Sequence, residues 1–93
     1  MKFEWDPRKA SRNFEKHRVS FQEATEAFAD ANAIDEFDKK HSSDTEHRFA
    51  LIGLSSRKLL FVNYTMRGEM TVRIISARKA NTAQQQLYRN AKD

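Results

Sequence analysis

The sequence predicts an α+β fold in a single small domain spanning residues 1–93. Three observations carry that expectation. Two consecutive stretches near the start have helix-start chemistry, at Asp6-Pro7 and at Ser20. Three strand-like runs, Glu46–Leu54, Leu59–Thr65 and Thr71–Ala77, follow one another through short turns, which makes an antiparallel meander. A last segment, Lys79–Lys92, returns to helical spacing.

Each element has a local reason. Lys2–Trp5 alternates Phe3 and Trp5 with polar residues, as a short strand does. Asp6 is a good N-cap, and Pro7 suits the first helical position because its missing N–H costs nothing there. That helix runs to Lys16 or His17, with Ala10, Asn13, Phe14 and His17 on one face. Ser20 and Glu23 form a capping-box pair, and Phe21, Ala24, Thr25, Phe28 and Ala29 follow helical spacing. Ala33–Phe37 is a short strand candidate, and Asp38–Asp44 reads as a polar loop. His41 and Asp44 in that loop are a paper metal site, and solvation is the ordinary fate of such a pair. Gly68 supplies the positive φ that the reversal between the last two strands needs. In the final helix Ala80, Ala83, Gln84, Leu87, Tyr88 and Ala91 make a thin apolar stripe. That leaves Leu87 and Tyr88 poorly buried and suits the helix to a partner.

The composition narrows the function. There is no cysteine, so no disulfide framework and no cysteine-based metal site arise. The longest apolar run, Leu59–Val62, is far too short to span a bilayer. The start, MKFEWD, lacks an apolar signal segment. Cytoplasmic residence is compatible with these features. Residues 1–56 hold 9 Lys and Arg against 11 Asp and Glu, whereas residues 57–93 hold 8 against 2, so the net charge of +4 comes from the second part. Such asymmetry points to a polyanion or an acidic protein partner, with a solvated basic face as the bland alternative.

The basic residues cluster around the last hairpin. Arg67, Arg73 and Arg78 are cationic, only Glu69 answers them, and Tyr64, Thr65 and Ser76 add hydroxyls. A sheet carrying several arginines and hydroxyls is suited to a phosphate backbone. By regular alternation Arg73 shares a face with Thr71, Ile75 and Ala77, and Arg78 continues the face of Val72, Ile74 and Ser76. Nothing in the pattern therefore requires Arg73 and Arg78 to point the same way.

Seven motifs in order then point to a family. They are FEWDP-x-KA at 3–10, N-x-x-KH at 13–17, VSF-x-EA at 19–24, E-x-R at 46–48, IGLS at 52–55, V-x-YT-x-R at 62–67 and RIISARKA at 73–80. From Phe3 to Tyr88 the chain resembles the BrnT toxins, small bacterial ribonucleases of type II toxin–antitoxin systems. The resemblance implies a RelE-like fold, a twisted antiparallel sheet flanked by helices. It implies RNA cleavage without a metal or other cofactor, with inhibition of translation. It also implies a BrnA-like ribbon-helix-helix antitoxin, through which alone operator DNA would be engaged. The pattern departs at Arg18, where the family often has glycine. It departs again at Gln84 and Gln85, where the family often has a Glu-Arg pair.

Metal-free cleavage must activate a 2′-hydroxyl, stabilise a phosphorane and protonate the leaving 5′-oxygen. Arg48, Arg67, Arg73 and Arg78 are the expected phosphate or transition-state ligands, since the guanidinium fork suits phosphate. Tyr64 and His17 are the expected stacking or proton-transfer groups. Lys9, Lys16, Thr65 and Ser76 are the expected further RNA contacts. Each has a structural alternative: His17 at a helix C-terminus, Tyr64 in the core, Arg48 paired with Glu46 or Glu69, and Arg73 or Arg78 paired with Asp6 or Glu4. A non-catalytic basic module that binds an acidic partner or nucleic acid is the competing function. DNA binding by this chain alone fits poorly, because Glu23, Glu26 and Asp30 make the second helix acidic.

Overall fold

The computed structural model describes residues 1–92. In chain order the elements are β1 (Lys2–Glu4), α1 (Pro7–His17), α2 (Phe21–Ala27), β2 (Ile34–Asp38), β3 (Arg48–Leu54), β4 (Leu59–Arg67), β5 (Thr71–Lys79) and α3 (Thr82–Lys92). The strands form one five-stranded sheet in the order β1-β5-β4-β3-β2. The expected meander is present as β3, β4 and β5, and β2 adds antiparallel to β3. The sheet is mixed and not purely antiparallel, because β1 lies parallel to β5. A three-residue strand carries no pattern that sets its direction. Its seat is fixed by long-range hydrogen bonds such as Lys2 N–H to the Met70 carbonyl at 2.7 Å.

The helix ends follow from their caps. The Asp6 side chain accepts from the Arg8 N–H at 2.9 Å, and Pro7 follows it. α1 stops because Arg18 turns left-handed, with φ 58° and ψ 29°, while its N–H still reaches the Phe14 carbonyl. For a residue with a Cβ that conformation costs about 1 kcal/mol. Ser20 Oγ accepts from the Glu23 N–H at 3.0 Å. The reciprocal half of the capping box is replaced, since the Glu23 carboxylate accepts from Ser55 Oγ at 2.8 Å. Glu26 takes the Ser56 N–H, and Asp30 takes the Leu54 N–H. Carboxylates of α2 and of the turn after it thus fasten the turn between β3 and β4. At the next turn Gly68 has φ 73°.

α1 and α2 cover one face of the sheet. Val19, Phe21, Ala24 and Ala27 pack there on Leu51, Leu60, Val62, Tyr64, Val72, Ile74 and Ala77. Each large side chain fully buried in this layer contributes roughly 1.5–3 kcal/mol. Phe14, on the helix face shared with Ala10, Asn13 and His17, is 44% exposed. The buried residue of α1 is its neighbour Asn13. α3 covers one end of the opposite face, where Tyr88 packs with Ile52, Ala80, Leu59 and Phe61. The stripe expected to be poorly buried divides: Leu87 is exposed, but Tyr88 is buried and its hydroxyl donates to Asp30.

Candidate active site

The arginine face is created by an irregularity in β5. Thr65 pairs with Arg73 and Tyr64 with Ile74, but the next pair is Asn63 with Ser76. Ile75 is the extra residue of a β-bulge. Core positions on β5 therefore run Val72, Ile74, Ala77, and the alternation changes phase after Ile75. Ser76 and Arg78 move to the side of Arg73, away from α1 and α2. The same side of β4 presents Phe61, Asn63, Thr65 and Arg67, and that of β3 presents Arg48, Ala50 and Ile52.

Three rows cross this face. Arg48, Thr65 and Arg73 form one, Ala50, Asn63 and Ser76 the next, and Ile52, Phe61 and Arg78 the third. The third row borders the end covered by α3. A cavity of about 480 Å³ opens over the centre, lined by Asp38, His41, Arg48, Asn63, Ser76 and Arg78 among others.

Each cation is held differently. The Arg73 guanidinium meets Glu4 Oε2 at 2.7 Å, and Arg67 reaches the same oxygen at 3.8 Å. Arg48 Nε meets Glu46 Oε1 at 2.8 Å. That bond offsets the smaller effect of desolvation and holds the Glu46 carboxyl below its ordinary value, with the charges of Arg48, Arg67 and Lys9 adding. Arg78 lies 4.5 Å from the Phe61 ring centre and, among the described residues, donates to the neutral oxygens Gln84 Oε1 at 3.1 Å and the Lys79 carbonyl at 3.2 Å. Its charge has no carboxylate among these partners, which leaves it available to an anion.

The other expected site residues are placed as follows. Thr65 is buried between Arg48 and Arg73, and its hydroxyl donates to the His47 carbonyl at 2.6 Å. Ser76 Oγ accepts from Asn63 Nδ2 at 3.0 Å and borders the cavity. Lys9 and Lys16 are exposed on α1. The charge of Lys9 contributes to holding the Glu46 carboxyl low, although α1 itself lies against the other face of the sheet. His17 closes the last turn of α1, in the helical layer.

Tyr64 is separated from the arginines. It alternates with Leu60 and Val62 on the helix-covered face and stacks on Phe49 at 5.4 Å. Its hydroxyl donates to Asp35 Oδ2 at 2.6 Å. Burial first, then the bond to Asp35 and its negative charge, push the phenol far above its usual range. The sheet thus stands between Tyr64 and the cations with which the sequence grouped it.

Several site residues were not expected. Asp38 Oδ2 accepts from His41 Nδ1 at 2.8 Å, and Asp38 Oδ1 accepts the His41 N–H at 3.2 Å. His41 therefore partners Asp38, three residues before it, and not Asp44. The spacing Asp-x-x-His at a strand end was the available signal. Gln84 and Asn63 act through their amides, which give no periodic signal. No helix among the described residues is long and apolar enough to cross a membrane.

Comparison with known proteins identifies the family. The family model described as the ribonuclease toxin BrnT of type II toxin–antitoxin systems matches residues 5–84. Among solved structures, the chain is similar to the Brucella abortus ribonuclease toxin BrnT, with 25% identity and a TM-score of 0.67 over 88% of this chain and 99% of that one. No curated protein sequence matches it. The chain belongs to the BrnT family of ribonuclease toxins of type II toxin–antitoxin systems, a membership that implies an RNA substrate and an antitoxin partner.

Proposed function

We propose that this toxin is a cytoplasmic endoribonuclease that cuts mRNA by metal-independent acid–base chemistry on the arginine face, and so inhibits translation. The observation that carries the reading is the bulge at Ile75, which sets Arg78 on the same open face as Arg73 and Arg48, with Arg48 and Arg78 lining its cavity. Guanidinium groups supply charge where a phosphorane develops it, the task a metal performs elsewhere. Arg48 and Arg78 border the cavity and bind the scissile phosphate. Arg73 continues the row toward the strand. Arg67 flanks the track of the backbone, and Ser76 and Thr65 shape its floor. Tyr64 and His17 serve the fold: one is hydrogen-bonded beneath the sheet, the other ends a helix whose dipole favours a cation there.

The neutralising partner is a BrnA-like ribbon-helix-helix antitoxin that covers the basic face with acidic segments, and operator DNA is engaged only through it. Exposed Leu87 and Leu54 extend the surface available to it. A defined RNA incubated with the folded toxin in excess EDTA tests the reading. Cleavage that persists without divalent metal is the expected result. Tight RNA binding with no cleavage would instead make the chain a non-catalytic basic module.

A further inference from the structure

The loop after β2 brings a histidine to the cavity that the arginines line, and it is held there by specific bonds. Ser42 Oγ donates to the Asp38 carbonyl at 2.6 Å and accepts the Arg48 N–H at 2.8 Å. The loop is thereby clamped to the start of β3. Asp38 holds His41 twice, by backbone and by ring, as described above. With Nδ1 engaged on the carboxylate, the ring carries its proton there and presents Nε2 as the acceptor. The charged groups that face His41 are Asp38 from β2, Arg48 from β3 and Arg78 from β5, with Lys39 and Lys40 on its own loop. Its side chain is 60% exposed, so a substrate reaches it, whereas that of Asp38 is 21% exposed. Burial raises the Asp38 carboxyl, but the two bonds from His41 and the charges of His41 and Arg48 outweigh it and hold the group ionised to lower pH.

We propose that His41 is the general base of this ribonuclease and that Asp38 is its positioning residue. The inference rests on the arginine face being the site of RNA cleavage. His41 Nε2 takes the proton of the 2′-hydroxyl. The 2′-oxygen forms a bond to the adjacent phosphorus, and Arg48 and Arg78 take up the charge of the phosphorane. The bond from phosphorus to the 5′-oxygen breaks, and that oxygen leaves with the electron pair and takes a proton from solvent water. The imidazolium returns its proton to water. The products are a 2′,3′-cyclic phosphate and a 5′-hydroxyl. Asp38 fixes the tautomer and supports the imidazolium, as a carboxylate does for other catalytic histidines.

The test is the pH profile of kcat/KM on a defined RNA for wild type, His41→Ala, Asp38→Asn and, as a control, His47→Ala. All are first checked for folding by thermal melt. His41→Ala is expected to lose at least about 100-fold at neutral pH, the scale of a general base, and to lose the acidic limb of the profile. Asp38→Asn is expected to lose about tenfold in kcat with KM unchanged, because the imidazole loses the carboxylate that orients it. His47→Ala keeps the wild-type rate. As a second reading, 2′-O-methyl RNA added to wild type shifts the His41 ring resonances in NMR spectra. Wild-type rate and profile in His41→Ala, beside loss in Arg48→Ala, would overturn the assignment and leave the arginine site standing. A folded wild type that cuts no RNA would overturn both.

Discussion

Asn13 holds both backbone groups of Ala77. Its Oδ1 accepts the Ala77 N–H at 3.0 Å and its Nδ2 donates to the Ala77 carbonyl at 2.8 Å. The same Nδ2 donates to the Val19 carbonyl at 3.0 Å. β1 pairs with β5 only over Thr71–Arg73, so further along the free edge this one amide takes the place of a strand. It does so two residues beyond Ile75, where the phase of β5 has just changed.

Replacing Asn13 by Ala should therefore cost about 3 kcal/mol, since buried backbone groups left without partners cost roughly 1–3 kcal/mol each. Urea unfolding of the variant measures this. A loss under 1 kcal/mol would mean that solvent or another side chain fills the gap.

Arg18→Gly should stabilise the toxin by about 0.5 kcal/mol. Relief of the left-handed strain is worth about 1 kcal/mol. Part of it is offset by losing the guanidinium, which stands 5.6 Å from the Phe14 ring centre, an exposed contact worth roughly 0.5 kcal/mol. A shift of the unfolding midpoint to higher urea with an unchanged slope is the expected signature.

Gly53→Ala should destabilise by about 2 kcal/mol, within the usual range for overpacking. A Cβ at that position would lie 2.5 Å from the Ala27 carbonyl oxygen, so α2 must move off β3. Calorimetry of the variant would show a lower melting temperature. An unchanged one would mean that the end of α2 shifts freely.

Stability should fall in strong base through two buried phenols. Burial, with the bond to Asp30 and its charge, pushes Tyr88 up to about 12, and Tyr64 is raised further by burial and Asp35. Both are favoured neutral in the folded state and titrate near 10 when unfolded. Their contribution is intact below pH ~10 and is lost as pH rises from there toward and beyond the folded values. Urea midpoints measured from pH 8 to 12 should fall above 10. The fall should be shallower in Tyr88→Phe and Tyr64→Phe.

The order of elements was legible because each has a local cause: Asp6-Pro7, Ser20, Gly68 and the alternation of β3 and β4. The arginine face was legible only in its membership. Its assembly depends on Ile75, and the adjacent Ile74 and Ile75, with core spacing that changes from two to three before Ala77, are the trace of the bulge. That trace has meaning only once Asn63 and Ser76 are seen to pair. Asn13 shared a face with Ala10, Phe14 and His17 in the helical pattern, yet its amide is drawn inward by backbone groups distant in sequence. Phe14 is displaced to the surface beside it. Tyr64 could be read both ways until the register put it beneath the sheet. His41 lay in a polar loop without periodicity, and only the fold brings it to the cations.

The most direct test is metal-free cleavage of one defined RNA by wild type, Arg48→Ala, Arg73→Ala, Arg78→Ala and Tyr64→Phe, each confirmed folded. The account predicts that Arg48→Ala and Arg78→Ala each lose about 100-fold or more in kcat, the scale of a lost transition-state donor. Arg73→Ala loses less, and Tyr64→Phe stays near the wild-type rate. Full activity in the arginine variants together with loss in Tyr64→Phe would place the chemistry on the other side of the sheet and contradict it.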